Sequence, residues 1–345
     1  MGLGELGSKM TAMDFFGLLK KLSRPKNIWV LYGGISAERE VSLRSGKGVA
    51  DALKAGGFSV ELFDVRPETL GALPWSQKPD LIFLGLHGTW AEDGVIQGYL
   101  ETLGIPYVGS GVLSSALCFH KGLTKTALRA VGLPTPKSFE FSGTKEFESL
   151  RSRGTFSNAD FSKKFFIKPA REGSTVGIER FDPSGNPNPE ALFREKLNKV
   201  FGFDQDVVVE EWIEGPELTV PVLAGKALEI VEIRPKSHYY DYASKYTAGA
   251  TEYLCPAPIG AEQTGLIKEI CEKTFQALKC ADYGRIDVML GKNGPMILEM
   301  NTLPGMTGTS LVPKSAVASG FSYETFCEFL VCYSFDRQSA RRKKA

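Results

Sequence analysis

The chain has 345 residues, 43% hydrophobic and 23% charged, enough for two or three globular domains and free of fibrous or disordered bias. Lys plus Arg (41) balance Asp plus Glu (40) to a formal net charge of +1, so no nucleic-acid or anionic-membrane partner is expected and any charge chemistry must be local. The six cysteines include no C-x-x-C pair, which points to a reducing cytosol, and no apolar run approaches the roughly 20 residues that span a bilayer.

Residues 1–23 read as an N-terminal extension with one short amphipathic helix at FFGLL, expected to pack on the surface. Its lysines follow the apolar run, unlike those of a signal peptide. IWVLYGG is a buried strand ending in glycines. SAEREVSLRSGKGVADALKAGG is a helix with serine at the cap and a glycine stop. The strands FSVELFDV and PDLIFLGLHG, then the helix VIQGYLETLG, complete an alternating pattern that implies a parallel sheet covered on both faces. Ligands bind such sheets at the carboxyl ends of strands, where GGISAERE and LHGTWAEDG fall.

Beyond residue 110 one helix is expected over SSALCFHKGLTKTALRAVG, ending at LPTP. KKFFIKPA, VGIERF and DVVVEEWI read as strands, with a helix near ALFREKLNKVF, giving an α+β unit. ELTVPVLAGKALEIVEIRP reads as a hairpin, YYDYASKYTAGATEYLCP as irregular, and AEQTGLIKEICEKTFQALKC as a helix. A last helix lies around SYETFCEFLVCY, and the basic end RRKKA reads as solvated.

The loop REGSTVG follows a strand ending in Lys168, and its glycines and hydroxyl residues could wrap an anion with backbone N–H groups. No Walker A loop occurs, and GSGVLS lacks the third glycine of a dinucleotide fingerprint. Glu210, Glu211 and Glu217 surround a Gly-Pro turn between two units, a position suited to a nucleotide-binding hinge; a solvated connection is the alternative.

GRIDVMLGKNGPMILEMNTLPG is the most informative segment. Glu299 and Asn301 share one strand face, and Asp287 joins them only opposite an odd-numbered residue. That excludes a two-residue turn and favours a three-residue loop, Lys292-Asn293-Gly294, with Asp287 facing Glu299. Two unpaired acids on a half-buried face repel one another without a cation. Three oxygen ligands suit Mg2+ or Mn2+ rather than zinc.

GGISAEREVSLRSG, LHGTWAEDG, IPYVGSG, IKPAREGSTVG, YYDYASKY, GRIDVML, LEMNTLPGMT and SLVP together resemble, in order and spacing, the D-alanine:D-alanine ligases of the ATP-grasp superfamily, over residues 27–335. The resemblance implies an N-terminal α/β pre-ATP-grasp domain (24–110) and two α+β ATP-grasp lobes (111–212 and 213–337), followed by a basic tail. It implies ATP-dependent joining of two D-alanines through D-alanyl phosphate, for peptidoglycan precursors, by a cytoplasmic homodimer. Two Mg2+ ions would sit on Asp287, Glu299 and Asn301. Lys121 and Lys168 would contact phosphate, and Glu210 and Glu217, with Glu211 beside them, the adenine side and ribose. Glu38 would hold the first D-alanine's ammonium, with His87 beside it and Ser174 and Tyr246 in its hydrogen-bonded lid. Arg285 and the Gly305 N–H would clamp the oxyanion; Lys245, Ser310 and the Leu311 N–H would take the second D-alanine's carboxylate. The family's usual HGxxGEDG reads HGTWAEDG here, so Ala91 replaces a glycine and Trp90 adds bulk beside the first-substrate pocket. A D-alanine:D-lactate ligase and a catalytically retired nucleotide-binding relative are the rival readings.

Overall fold

The computed structural model describes residues 12–173, 176–236 and 249–342. Three strands, β1 (Asn27–Gly33), β2 (Ser59–Val65) and β3 (Leu81–Gly85), form a parallel sheet in the order β2-β1-β3. Strand parity sorts its residues between two cores. Ile28, Val30, Leu81 and Phe83 face helix α2 (Arg39–Ala55) and the last helix, Tyr323–Arg342, while Trp29, Leu31, Ile82 and Leu84 pack with residues of the helix Val95–Leu103. The extension helix α1 (Ala12–Leu19) docks through Phe15, whose ring lies 5.3 Å from that of Phe329.

Helix α2 starts at Arg39 with Glu38 at its cap position, not with the serine expected there. Ser36 instead accepts the Glu38 N–H at 3.2 Å, and the helix starts two residues later than expected, which leaves Glu38 at the strand's carboxyl end. The single helix expected after residue 110 is also two, Val112–Phe119 and Lys121–Ala130. His120 between them is extended, and its Nδ1 accepts the Leu123 N–H at 3.4 Å. The break makes Lys121 the first residue of a new helix.

A four-stranded antiparallel sheet follows, in the order β4 (Ser138–Ser142), β7 (Asp206–Glu211), β5 (Phe165–Pro169), β6 (Glu179–Phe181). Phe165, Ile167, Val207 and Val209 point into an aromatic core with Phe147 and Phe193, so Phe166, Lys168, Val208 and Glu210 take the opposite face. The third sheet runs β11 (Thr251–Leu254), β10 (Val231–Pro235), β8 (Glu217–Leu223), β12 (Tyr283–Gly291), β13 (Gly294–Asn301), with the short β9 (Lys226–Ala227) beside β8. Leu218, Val220, Ile286, Val288, Ile297 and Met300 pack on the helix Ala261–Ala277, which leaves Glu217, Thr219, Arg285, Asp287, Glu299 and Asn301 on the other face. The polar faces of these two sheets line one cleft. Among the described residues no helix is long and apolar enough to cross a membrane, and all six cysteines are free.

Candidate active site

The β12–β13 hairpin departs from the expected loop in an instructive way. Gly291 pairs with Gly294, so only Lys292 and Asn293 form the turn, the length that parity seemed to forbid. Gly294 does take a positive φ of 108°. The register runs unbroken to Val288↔Ile297, and the next pair is Asp287↔Glu299. Leu298 is therefore an inserted bulge residue, and it reverses the parity that the short turn would have imposed. Asp287 faces Glu299 after all, with Arg285↔Asn301 next along the same face.

Asp287 is not an unpaired acid, as the sequence suggested. Arg285 donates to it from Nε (3.0 Å) and Nη2 (2.9 Å), Asn301 from Nδ2 (3.2 Å), and the Thr219 hydroxyl from across β8 (2.6 Å). Arg285 thus offsets the carboxylate charge on a face where acids would otherwise repel. Among the described residues no three His, Cys, Asp or Glu side chains are grouped to hold a metal. The candidate set is two opposed carboxylates and one amide, an all-oxygen arrangement inside a polar cleft. That chemistry fits a hard divalent cation that keeps water and phosphate as further ligands.

Two lysines approach this face from the other elements. Lys121 Nζ stands 3.9 Å from Glu299 and also meets the Glu172 carbonyl, while its backbone N–H donates to the Ala170 carbonyl at 2.9 Å. Lys168 Nζ donates to Glu210 Oε1 at 2.6 Å. Burial works against the Lys168 charge, but Glu210, Glu299 and Glu217 outweigh it and raise its pKa above the ordinary lysine value. Glu210 is 1% exposed and engages Lys125 as well as Lys168. Burial alone would push its carboxyl up; the two lysines pull it below the ordinary range.

At the opposite wall, His87 Nδ1 lies 2.9 Å from the Leu303 carbonyl, which can only accept, so Nδ1 carries the ring proton. Burial, reinforced by Arg285 and opposed by Glu38, lowers the His87 pKa. The neutral ring presents Nε2 as an acceptor, and that buried atom has no hydrogen-bond partner. Glu92 accepts the Gly88 N–H at 2.7 Å, and burial, with the nearby Glu38, pushes its carboxyl up to about 7. Further along, Ser310 stands at the cap position of the helix Leu311–Ala318, and its Oγ accepts the Thr307 N–H at 3.1 Å, outside the helix. A Cβ at position 305 would stand 3.0 Å from Ser310 Oγ, a tight contact that the bare glycine avoids.

The cleft has a volume of about 1230 Å3. Glu38, His87, Lys121, Lys168, Glu210, Glu211, Glu217, Arg285, Asp287, Glu299, Asn301, Gly305, Ser310 and Leu311 all line it. Ser174, Lys245 and Tyr246 lie outside the described residues, as does the end of the basic tail.

The profile of the D-ala D-ala ligase C-terminus matches residues 127–332, more than half of the chain, and that of the D-ala D-ala ligase N-terminus matches residues 68–110. The chain belongs to the D-alanine–D-alanine ligase family. It is 42% identical over 305 residues to a D-alanine–D-alanine ligase of Anaeromyxobacter sp. strain Fw109-5, covering 88% of this chain and 95% of that one. Identity to the Methylacidiphilum infernorum ligase is 40% over 317 residues, covering 92% and 98%. The D-alanine–D-alanine ligase structure from Bacillus anthracis complexed with ATP superimposes with a TM-score of 0.77 at 30% identity, covering 92% of this chain and 99% of that one. A D-Ala:D-Ser ligase from Enterococcus faecalis also matches, with a TM-score of 0.75 at 28% identity over 90% of this chain and all (100%) of that one.

Set against the ligase pattern, one expectation changes. Trp90 does not crowd the first-substrate pocket: it takes a positive φ of 76° and its ring is buried in the core around Leu31, Ile82 and Ile96. Glu210 lines the cleft with Oε1 on Lys168 and Oε2 against Lys125. Thr219, Glu92 and Lys125 were not singled out by the sequence. Thr219 had a signal, because it lies two residues from Glu217 on the same strand face. Lys125 sits four residues beyond Lys121, one helical turn away.

Proposed function

We propose that this cleft joins two D-alanine molecules to D-alanyl-D-alanine at the expense of ATP. The observation that carries the reading is the convergence, in one cleft, of Lys121 and Lys168 with the opposed Asp287 and Glu299, next to a buried histidine acceptor and Arg285. Lys121 and Lys168 hold the ATP phosphates as fixed positive charges, and Glu217 at the mouth takes the ribose. Mg2+ or Mn2+ held by Asp287, Glu299 and Asn301 would offset the charge of the transferred phosphoryl group.

Glu38 and the lone pair of His87 Nε2 bind the first D-alanine's ammonium, which turns its carboxylate toward the γ-phosphorus. A carboxylate oxygen bonds to phosphorus as the bond to the ADP oxygen breaks. The second D-alanine, held by Ser310 and the Leu311 N–H at a helix N-terminus, attacks the acyl carbon through its amine. The oxyanion that forms is met by Arg285 and the Gly305 N–H, and phosphate departs as it collapses. Ser174, Tyr246 and Lys245 are assigned to the cover of this site, where they exclude water from the acyl phosphate. The reading extends to a cytoplasmic homodimer that supplies peptidoglycan precursors.

Purified protein with ATP, Mg2+ and D-alanine is expected to release phosphate and form the dipeptide. Release only when D-lactate or D-serine is added would move the assignment to a different second substrate. No release with any of these acceptors, together with retained ATP binding, would make the chain a nucleotide-binding relative without the ligase reaction.

A further inference from the structure

Lys125 is a second ammonium on the helix that begins with Lys121, and it is fully buried, at 0% exposure. A buried lysine is costly unless every donor is matched. Here all three are. Nζ donates to the Leu298 carbonyl at 3.1 Å and to the Thr135 hydroxyl at 3.3 Å, and it pairs with Glu210. The Thr135 hydroxyl passes its own proton to the Ile297 carbonyl at 2.8 Å, and the Ile297 N–H donates to the Pro134 carbonyl at 2.9 Å.

These contacts fall on Leu298 and its neighbour, where the inserted residue interrupts the β12–β13 ladder. A bulge leaves its extra residue without a ladder partner, so its backbone groups must find partners elsewhere or remain unsatisfied. Lys125 and Thr135 satisfy the carbonyls of both Leu298 and Ile297. The register on the far side of the bulge is the one that sets Glu299 opposite Asp287. The same ammonium neutralises Glu210, which holds Lys168.

We propose that Lys125 is a positioning residue that fixes the bulge at Leu298, and through it the relative placement of Asp287, Glu299 and the phosphate-side Lys168. It touches neither substrate nor cation and acts through Glu299 and Glu210. The inference rests on the reading that Asp287, Glu299 and Asn301 hold the divalent cation. It adds a named link between two sheets: one buried charge sets the cation ligands in the six-stranded sheet and the phosphate lysine in the four-stranded one.

The test uses Mn2+ bound in the presence of ADP, followed by electron paramagnetic resonance, on the full chain carrying Lys125→Met, Thr135→Val or, as control, Asp287→Ala. Lys125→Met is expected to weaken Mn2+ binding by about 10- to 100-fold, the usual effect of removing a partner that orients a ligand. Thr135→Val, which keeps the ammonium and the side-chain volume, is expected to give a smaller loss of the same kind. Hydrogen exchange over residues 296–301 is expected to quicken in both, with exchange in the parallel sheet unchanged. Should Lys125→Met not fold, Thr135→Val decides alone. Wild-type Mn2+ affinity and exchange in folded variants, with Asp287→Ala impaired, would overturn the proposal while leaving the cation site standing. Undiminished binding in Asp287→Ala would remove the cation site itself and the proposal with it.

Discussion

Glu210→Gln is the sharpest test of how the two sheets are joined. In the native protein one carboxylate lies between two ammonium groups, at side-chain exposures of 1% for Glu210, 1% for Lys125 and 13% for Lys168. The amide keeps the shape and removes the negative charge directly paired with Lys125. Two like charges then remain in a site with little water to screen them. Removing one partner of a buried pair costs about 3–5 kcal/mol, because the other charge is left uncompensated. At 1.4 kcal/mol per decade this is about two to three and a half decades in the folding equilibrium. A urea titration with the wild type in parallel measures it. Glu210→Gln combined with Lys125→Met restores the charge balance and is expected to recover part of the loss, a non-additivity that isolates the interaction. A cost below about 1 kcal/mol, in the range of an exposed pair, would show that the cluster is not buried as described and refute the reasoning. Acid acts in the same direction. The lysines hold Glu210 below the ordinary glutamate value of about 4.3, so its stabilisation is complete above that value and disappears as pH falls through the lower folded-state pKa.

Three further outcomes follow from the site. Asp287→Ala removes the acceptor shared by Arg285, Asn301 and Thr219 and one of two opposed carboxylates; turnover is expected to fall by at least about 100-fold, and a steady-state phosphate-release assay giving unchanged turnover would sink the cation assignment. Glu92 is held up at about 7 in the fold, so the wild type loses stability as pH rises from the unfolded value of about 4.3 through 7; Glu92→Gln escapes that loss, and its melting temperature is expected to rise relative to wild type between pH 5 and pH 8. His87→Phe removes the Nε2 acceptor and is expected to raise the KM of the first D-alanine by about tenfold, the worth of one hydrogen bond to a charged group, with the KM for ATP unchanged in initial-rate kinetics.

Much of this architecture was legible because periodicity is a local property. The strand IWVLYGG and the helix after it follow from which residues are apolar, and the parallel sheet places Glu38 and His87 at its carboxyl ends as the alternation implied. What was not legible depends on partners distant in the chain. Nothing in LTKTALRA marks Lys125 as buried rather than solvated; it becomes a core residue only because Glu210, Thr135 and Leu298 arrive around it from three other segments. Likewise, nothing around His120 announced that one helix would become two, since the break is stabilised by that side chain turning back onto the Leu123 N–H.

In the β12–β13 hairpin the short turn and the bulge cancel each other's effect on parity. Counting from the turn, two residues between Gly291 and Gly294 should have set Asp287 and Glu299 on opposite faces. Parity arguments assume an uninterrupted ladder, and Leu298 interrupts it. Apolar, between Ile297 and Glu299 in PMILEM, Leu298 carries no local mark of a bulge. The mark lies instead in what the bulge achieves: Met300 points into the core, and Glu299 and Asn301 point into the cleft. Both requirements could be met with a two-residue turn only by inserting one residue. A strand whose turn length and whose side-chain chemistry demand opposite parities is therefore itself a sequence signal for a bulge, and it locates that bulge between the turn and the first polar residue of the site.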